Sequence, residues 1–332
     1  MKRHCVMLLS GGLDSALAAR LLLERGIEIS ALHISHPWEA QDPADVKHLA
    51  SELGVSLKEM RLGNEMIDII RAPAFGHGRY INPCIDCKIA MLKKAKEYMG
   101  VVGASFVATG EVIGQRPMSQ MRRTLDVIEQ RSSLQGILLR PLSARCLKPT
   151  RMEEEGIIDR KKLGDIAGRS RKQQLMLARR YGIVHYRTPA GGCLLTDKAF
   201  ARRLTDLLEN ERGVLPEWRL RLLAFGRHFR VDKTTVVVVG RNEAENSALE
   251  QFSAHVAEML IPEFTGPSAC VLGEASSTYI RRAIGLIASY TNKKNWDKAD
   301  TVAVMTKQGP RVFAKEHIRP EEVREKRGQW HI

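Results

Sequence analysis

The chain has 332 residues, 44% hydrophobic and 27% charged, enough to bury a substantial core and to divide into two domains. Its net charge of +14 points to a polyanionic partner, nucleic acid before a membrane surface, with the excess concentrated between Arg116 and Arg187. Lys2 and Arg3 precede an apolar run that ends at a Gly-Gly turn and an aspartate, so it does not serve as a secretory signal, and no apolar stretch approaches the roughly 20 residues of a bilayer span. A cytoplasmic location without a membrane partner is expected, and in that compartment the six cysteines are thiols, metal ligands or redox groups rather than disulfides.

The first apolar run, His4 to Leu9, reads as a strand that turns through Ser10-Gly11-Gly12-Leu13-Asp14-Ser15 into a helix continuing to Leu23. Such a turn leaves backbone N–H groups aimed at one spot, with the positive end of the helix dipole behind them. It is an anion cradle: the glycines let a phosphate approach, Ser10 and Ser15 supply hydroxyls, and Asp14 can orient a metal ion or water. Neither a G-x-x-x-x-G-K-[ST] loop nor a full G-x-G-x-x-G is present.

A second strand is expected over Ile27 to Ser35 and a helix over Asp42 to Leu53, with Asp42 as cap and Pro43 at the first position; Val55 to Leu62 reads as a third strand. Strands alternating with helices predict a parallel sheet with helices on both faces and a ligand beyond the carboxyl ends of its strands. His33 and His36, near a strand end, read as packed or solvated side chains rather than ligands.

Pro83 opens a helix whose first turn carries Cys84 and Cys87. Three residues apart they share a face, and the helix N-terminus favours their thiolates. One C-x-x-C is not a tetrahedral zinc site. Cys193, behind Gly191 and Gly192, is the candidate third ligand: three thiolates could hold an iron-sulfur cluster with one iron free to carry sulfide. The competing chemistry is a persulfide on one cysteine, resolved as a disulfide by another.

Ser105 to Glu111 reads as a strand ending in Thr109-Gly110-Glu111, followed by Gly114-Gln115, a helix from Ser119 to Arg131 and a strand from Ile137 to Leu142. From Asp159 to Tyr181 the sequence reads as helical and basic, with an apolar stripe over Gln173 to Leu177 and with Arg169, Arg171, Lys172, Arg179 and Arg180 positioned to meet RNA phosphates. Phosphate contacts of this kind set affinity and placement and do not choose a base.

Near Asp197 the character changes, which divides the chain into domains 1–197 and 198–332, the first with a basic segment over 116–187. The second reads as a small α/β domain: a helix from Lys198 to Arg212, a strand over Thr234 to Val239, a helix from Glu243 to Leu260, a strand over Ala269 to Leu272, a helix from Ser277 to Tyr290 and a hairpin around Gly309. Arg241 and Asn242 precede one of these helices and read as a cap before a nucleic-acid contact. The domain is less basic, a candidate seat for RNA or another partner, and its tail from Arg319 to Ile332 is expected to be partly mobile.

Ser10-Gly11-Gly12-Leu13-Asp14-Ser15 resembles the signature of the PP-loop ATP pyrophosphatases, which split ATP into AMP and pyrophosphate while adenylating a substrate oxygen. Thr109-Gly110-Glu111, Gly114-Gln115, Ser119-Gln120 and Leu139-Arg140-Pro141-Leu142 look like the PP-loop domain of tRNA 4-thiouridine synthases; Asn82-Pro83-Cys84 to Cys87 and Gly191-Gly192-Cys193 look more like the tRNA 2-thiouridylases. The resemblance covers residues 1–197 and implies a parallel-sheet, Rossmann-like adenine nucleotide alpha hydrolase fold. It further implies a tRNA uridine as substrate, ATP with Mg²⁺ on Ser10, Gly11, Gly12, Asp14 and Ser15, and sulfur taken from free sulfide or a cysteine desulfurase. By the same likeness Thr109, Gly110, Glu111, Gln115 and Ser119 lie near the nucleotide, and Asp14, Cys84, Cys87 and Cys193 are the catalytic set, the three cysteines also being the candidate ligands of a 4Fe-4S cluster. Two other functions fit the same motifs: thiolation or amidation of an adenylated small molecule, and non-catalytic binding of RNA with ATP as a structural ligand only.

Overall fold

The computed structural model describes residues 2–39, 43–186, 193–296, 301–318 and 320–332, so that Asp42, Arg187 and the Gly191-Gly192 pair, all invoked above, lie outside the described residues. The chain divides into two compact units, Met1–Asp197 and Lys198–Ile332.

In the first unit β1 (His4–Leu8) runs into α1 (Leu13–Leu23), followed by β2 (Glu28–Ser35), α2 (Ala44–Leu53), β3 (Ser56–Arg61) and α3 (Asn64–Arg71). Then come α4 (Cys84–Val102), β4 (Phe106–Thr109), α5 (Arg122–Arg131), β5 (Leu138–Leu139), α6 (Arg151–Glu154) and α7 (Lys172–Tyr181). The sheet has the order β3-β2-β1-β4-β5. Every pairing is parallel, with Cys5 opposite Ile29 on one side and Phe106 on the other. Strand order reverses between β1 and β4, and in an open parallel sheet that reversal opens a crevice beyond the carboxyl ends of the two strands. The turn Ser10–Ser15 leaves the end of β1, and Gly110-Glu111 leaves the end of β4. Burial explains the strand composition: Cys5, Val6 and Met7 and Phe106, Val107 and Ala108 are wholly enclosed.

In the second unit α8 (Lys198–Asn210) and α9 (Glu217–Leu222) precede β6 (Arg227–Arg230), β7 (Val236–Val239), α10 (Glu243–Glu250), β8 (Glu258–Pro262) and β9 (Ala269–Leu272). The unit ends with α11 (Ser277–Tyr290), α12 (Lys293–Trp296), β10 (Thr301–Thr306), β11 (Gly309–Ala314) and α13 (Pro320–Trp330). Its sheet has the order β11-β10-β8-β9-β7-β6 and is antiparallel throughout the described residues. Alternation along β7 splits the core: Val237 and Val239 pack with Ile280, Ile284 and Ile287 of α11, whereas Val236 and Val238 pack with Leu222 of α9 and Leu249 of α10.

The helices expected over 159–181 and 243–260 are both shorter than the sequence suggests. The helix expected over 159–181 is only α7 and a short 3-10 turn, because Gly164 sits against the Leu142 carbonyl, where a Cβ would come within 2.4 Å of its oxygen, and Gly168 has φ +83°. On α7 the buried residues are Gln174 and Ala178, while Leu175 and Met176 of the expected apolar stripe are exposed. The helix expected from Glu243 to Leu260 stops at Glu250, since Glu258 to Leu260 are taken up in pairing with β9. The tail is helical as α13, with Val323 buried against α11. Arg241 binds Glu245 and Asn242 caps α10, accepting from the Glu245 amide at 3.0 Å.

Candidate active site

The cradle begins where β1 ends. Gly11 has φ +76°, in the left-handed region that glycine occupies without strain. Gly12 is the N-cap of α1 and supplies no capping side chain, so the first-turn amides keep their capacity for an anion, with the helix dipole aligned behind them. The hydroxyls are organised within the turn: Ser15 Oγ donates to the Gly12 carbonyl at 2.9 Å, accepts from the Ser10 amide at 3.2 Å and lies 3.1 Å from Ser10 Oγ. Asp14 projects from the first turn of α1, where Gln115 Nε2 donates to its Oδ2 at 2.8 Å and Arg171 Nη2 approaches both oxygens at 3.4 Å. Gln174 then donates to Gln115 at 3.3 Å.

The loop after β4 joins this cradle to a second cluster. A Cβ on Gly110 would stand 2.5 Å from the Ser15 amide nitrogen and 2.6 Å from the Asp14 carbonyl carbon, so only glycine lets β4 close on α1 here. The next residue, Glu111, is buried and turns the other way: Lys88 Nζ donates to it, Arg140 Nε donates at 3.0 Å and Thr109 Oγ1 at 3.4 Å. Burial alone would raise its carboxyl, but the Lys88 and Arg140 cations outweigh that and hold it at about 2. Arg140, 2% exposed, spans Glu111 and Glu129. One dipeptide therefore touches Asp14 and Ser15 on one side and the residue after Cys87 on the other.

Cys84 and Cys87 lie in the helical turn that leads into Lys88. Pro83 is the N-cap of α4 and both Cys84 and Cys87 lie in its first turn, while the Asp86 carboxylate between them accepts from the Ala74 and Phe75 amides, each at 3.1 Å. Cys193 lies within electrostatic reach of both: burial pushes its thiol up to about 11, a backbone hydrogen bond from Leu195 opposes this, and charge on Cys87, Cys84 and Glu39 adds to it. All three cysteines are free thiols.

His36 completes the cluster. Its Nε2 is 3.2 Å from Cys87 Sγ, its Nδ1 3.4 Å from Glu39 Oε1, and its amide donates to Glu39 Oε2 at 3.0 Å. Burial lowers the imidazole, yet the hydrogen bonds and charges of Cys87 and Glu39 prevail and raise it to about 10. His33 and His36 read from the sequence as packed or solvated side chains, and both are packed here, His36 against Cys87 and Glu39. His33 is buried, with Nδ1 2.9 Å from the Leu9 carbonyl. Its position one residue past β2, at the carboxyl edge of the sheet, was the signal that distinguishes His36.

The remaining candidates separate. Ser119 is fully buried and its hydroxyl finds no partner among the described residues. Arg169, Lys172, Arg179 and Arg180 are exposed, whereas Arg171, grouped with them above, is half-buried and turned to Asp14. The cavity of about 430 Å³ in this unit lies beyond Arg140, between Arg122, Glu129 and Glu153, and no residue of the cradle or the thiol cluster lines it.

The parallel sheet in this order carries an uncapped Ser-Gly-Gly-Leu-Asp-Ser turn at the end of its central strand, the place where an open α/β domain receives an anionic ligand. Residues 1–146 match the family model described as thiamine biosynthesis protein (ThiI), and residues 226–327 match the NFACT protein RNA binding domain. Among curated relatives, the tRNA-specific 2-thiouridylase MnmA of Methylococcus capsulatus is 34% identical over 124 residues, covering 33% of each chain. The probable tRNA sulfurtransferase of Methanosarcina acetivorans is 35% identical over 116 residues, covering 33% of this chain and 28% of its own. The chain thus spans about a third of the length of these relatives. Similar solved structures include a 4-thiouridine synthetase–RNA complex with bound ATP, with a TM-score of 0.36 at 21% identity over 54% of this chain and 51% of that one. The U34-tRNA thiolase NcsA of Methanococcus maripaludis, with its [4Fe-4S] cluster, has a TM-score of 0.34 at 18% identity over 67% and 72%. Among the described residues no helix is long and apolar enough to cross a membrane.

Proposed function

We propose that this protein thiolates a uridine of tRNA in an ATP-dependent reaction. The observation that carries the reading is the Gly110-Glu111 bridge, which packs against the phosphate cradle and, through Lys88, fixes the helix that bears Cys84 and Cys87. ATP lays its pyrophosphate on Ser10 to Ser15, and a uridine carbonyl oxygen attacks the α-phosphate with release of pyrophosphate. Asp14 offers one carboxylate beside the turn and would hold Mg²⁺, which would supply charge neutralisation at the phosphates; Arg171, 3.4 Å from Asp14, is a further cation at that place. A sulfur nucleophile adds to the activated carbon and AMP departs with the original oxygen.

The thiols supply that sulfur. Cys84 and Cys87 share the first turn of α4 and Cys193 lies within electrostatic reach of both, so the three sulfurs are donors of the kind that would hold an iron-sulfur cluster. Bound there, a cluster with three protein ligands would present one iron to the incoming sulfur. His36 holds the Cys87 sulfur in place through its Nε2. That contact also favours a second reading, in which Cys87 carries a persulfide: its terminal sulfur adds to the base, another cysteine attacks the inner sulfur, and a disulfide forms as the thiocarbonyl is released.

The tRNA docks on the exposed Arg169, Lys172, Arg179 and Arg180 and on the second unit, whose match to an RNA-binding domain supports that role. The test is pyrophosphate release by the anaerobically purified chain, with thionucleosides followed by mass spectrometry. Release that rises with added tRNA, together with a thiolated uridine, is expected. Release that depends on a small metabolite, or none with any substrate, would overturn the proposal.

A further inference from the structure

The geometry points to a binding site for a divalent transition metal ion of the zinc class formed by His48, Glu52 and His185, outside the cradle and the thiol cluster. His48 and Glu52 lie one turn apart on α2 and share a face. His185 arrives from the segment after α7, which is anchored by the Ile183 amide donating to the Ala178 carbonyl at 3.0 Å and by Ile183 and Tyr186 packing on the core. The ligand atoms of the three residues all lie within 4.8 Å of one another. His48 Nε2 and His185 Nδ1 stand 3.3 and 3.2 Å from the same oxygen, Glu52 Oε1, with the two rings edge to face at 5.0 Å.

Those separations match what a metal imposes. A tetrahedral ion with bonds of about 2.0–2.1 Å keeps its ligand atoms roughly 3.3 Å apart. Two of the three edges of such a ligand triangle are therefore already present, and small rotations of two imidazoles supply the third. An i, i+4 His–Glu pair alone is ordinary surface chemistry; what makes a site is a second imidazole, delivered from a different segment, directed at the same carboxylate oxygen. Two imidazoles and one carboxylate are donors for Zn²⁺, unlike the all-oxygen sets of Mg²⁺ and Ca²⁺. The side chains are 56, 37 and 66% exposed, which gives the ion an entry path and a water for its fourth position. An ion bound here ties the chain that leads toward Cys193 onto α2.

The thiols also attract zinc, so the titration uses the full chain carrying Cys84→Ser, Cys87→Ser and Cys193→Ser. Calorimetric titration with Zn²⁺ is expected to show one site per chain, weakened more than about 100-fold by adding His185→Ala or Glu52→Gln, a larger loss than removal of a residue that only hydrogen-bonds a ligand produces. Should the serine variant not fold, crystals of the intact chain soaked in Zn²⁺ are expected to show an anomalous peak between the three side chains. Zinc uptake unchanged by His185→Ala, no uptake, or anomalous density confined to the cysteines would overturn the proposal.

Discussion

The candidate phosphate cradle takes its atoms from six consecutive residues, Ser10–Ser15, while the proposed thiol site draws on residues 36–39, 84–87 and 193. The first needs only local chemistry: a strand end, a glycine with positive φ and an uncapped helix. The second depends on everything that sets the distance between α4 and the sheet, above all the Lys88–Glu111–Arg140 network. A contiguous site tolerates global perturbation; an assembled one fails first. The two regions meet at Gly110-Glu111, which is where substitutions divide them most sharply.

The largest effect is expected from Glu111→Gln. It leaves Lys88 without its buried counter-charge and Arg140 with Glu129 alone, and should cost about 3–5 kcal/mol in a denaturant titration. In the parent chain the carboxyl is held at about 2, below its ordinary 4.5, by Lys88 and Arg140 against burial. Its contribution is therefore complete above pH 4.5 and lost as the pH falls toward 2, a decline expected to be absent from Glu111→Gln. Gly110→Ala drives a methyl group into the Ser15 amide and should cost roughly 1–3 kcal/mol and weaken ATP binding, whereas Gly12→Ala, whose added carbon meets only Ser10 Oγ at 3.4 Å, should be far milder. His36→Gln should lower thiolation about tenfold with pyrophosphate release unchanged, about 1.4 kcal/mol in the sulfur step alone. The smallest change belongs to Arg171→Ala: its long, partly exposed pair with Asp14 at 3.4 Å should be worth under about 1 kcal/mol of stability, and the variant reads instead as a higher ATP requirement.

The same contrast explains what was legible in the sequence. The cradle, the first turn of α4, β9, α11 and the β10–β11 hairpin follow from periodicity, capping and turn chemistry, which neighbouring residues decide. His36 was not legible, because its partner Cys87 lies on another element and no local pattern marks the contact. The helix expected over 159–181 failed on tertiary grounds: Gly164 and Gly168 serve a close approach to Leu142 and a left-handed turn, and composition alone records neither. Arg171 read as part of a basic surface because charge runs carry no direction; the fold turns it inward to Asp14 and leaves its neighbours outside.

The sulfur step and the adenylation step are separable in this account, and Cys193→Ser measured by both readouts at once tests that most directly. Pyrophosphate release stimulated by tRNA should stay within about twofold of the parent chain, well under 1 kcal/mol, while thionucleoside falls to background. Full thiolation by Cys193→Ser, or loss of pyrophosphate release in step with thiolation, would contradict the assignment of sulfur delivery to the three thiols.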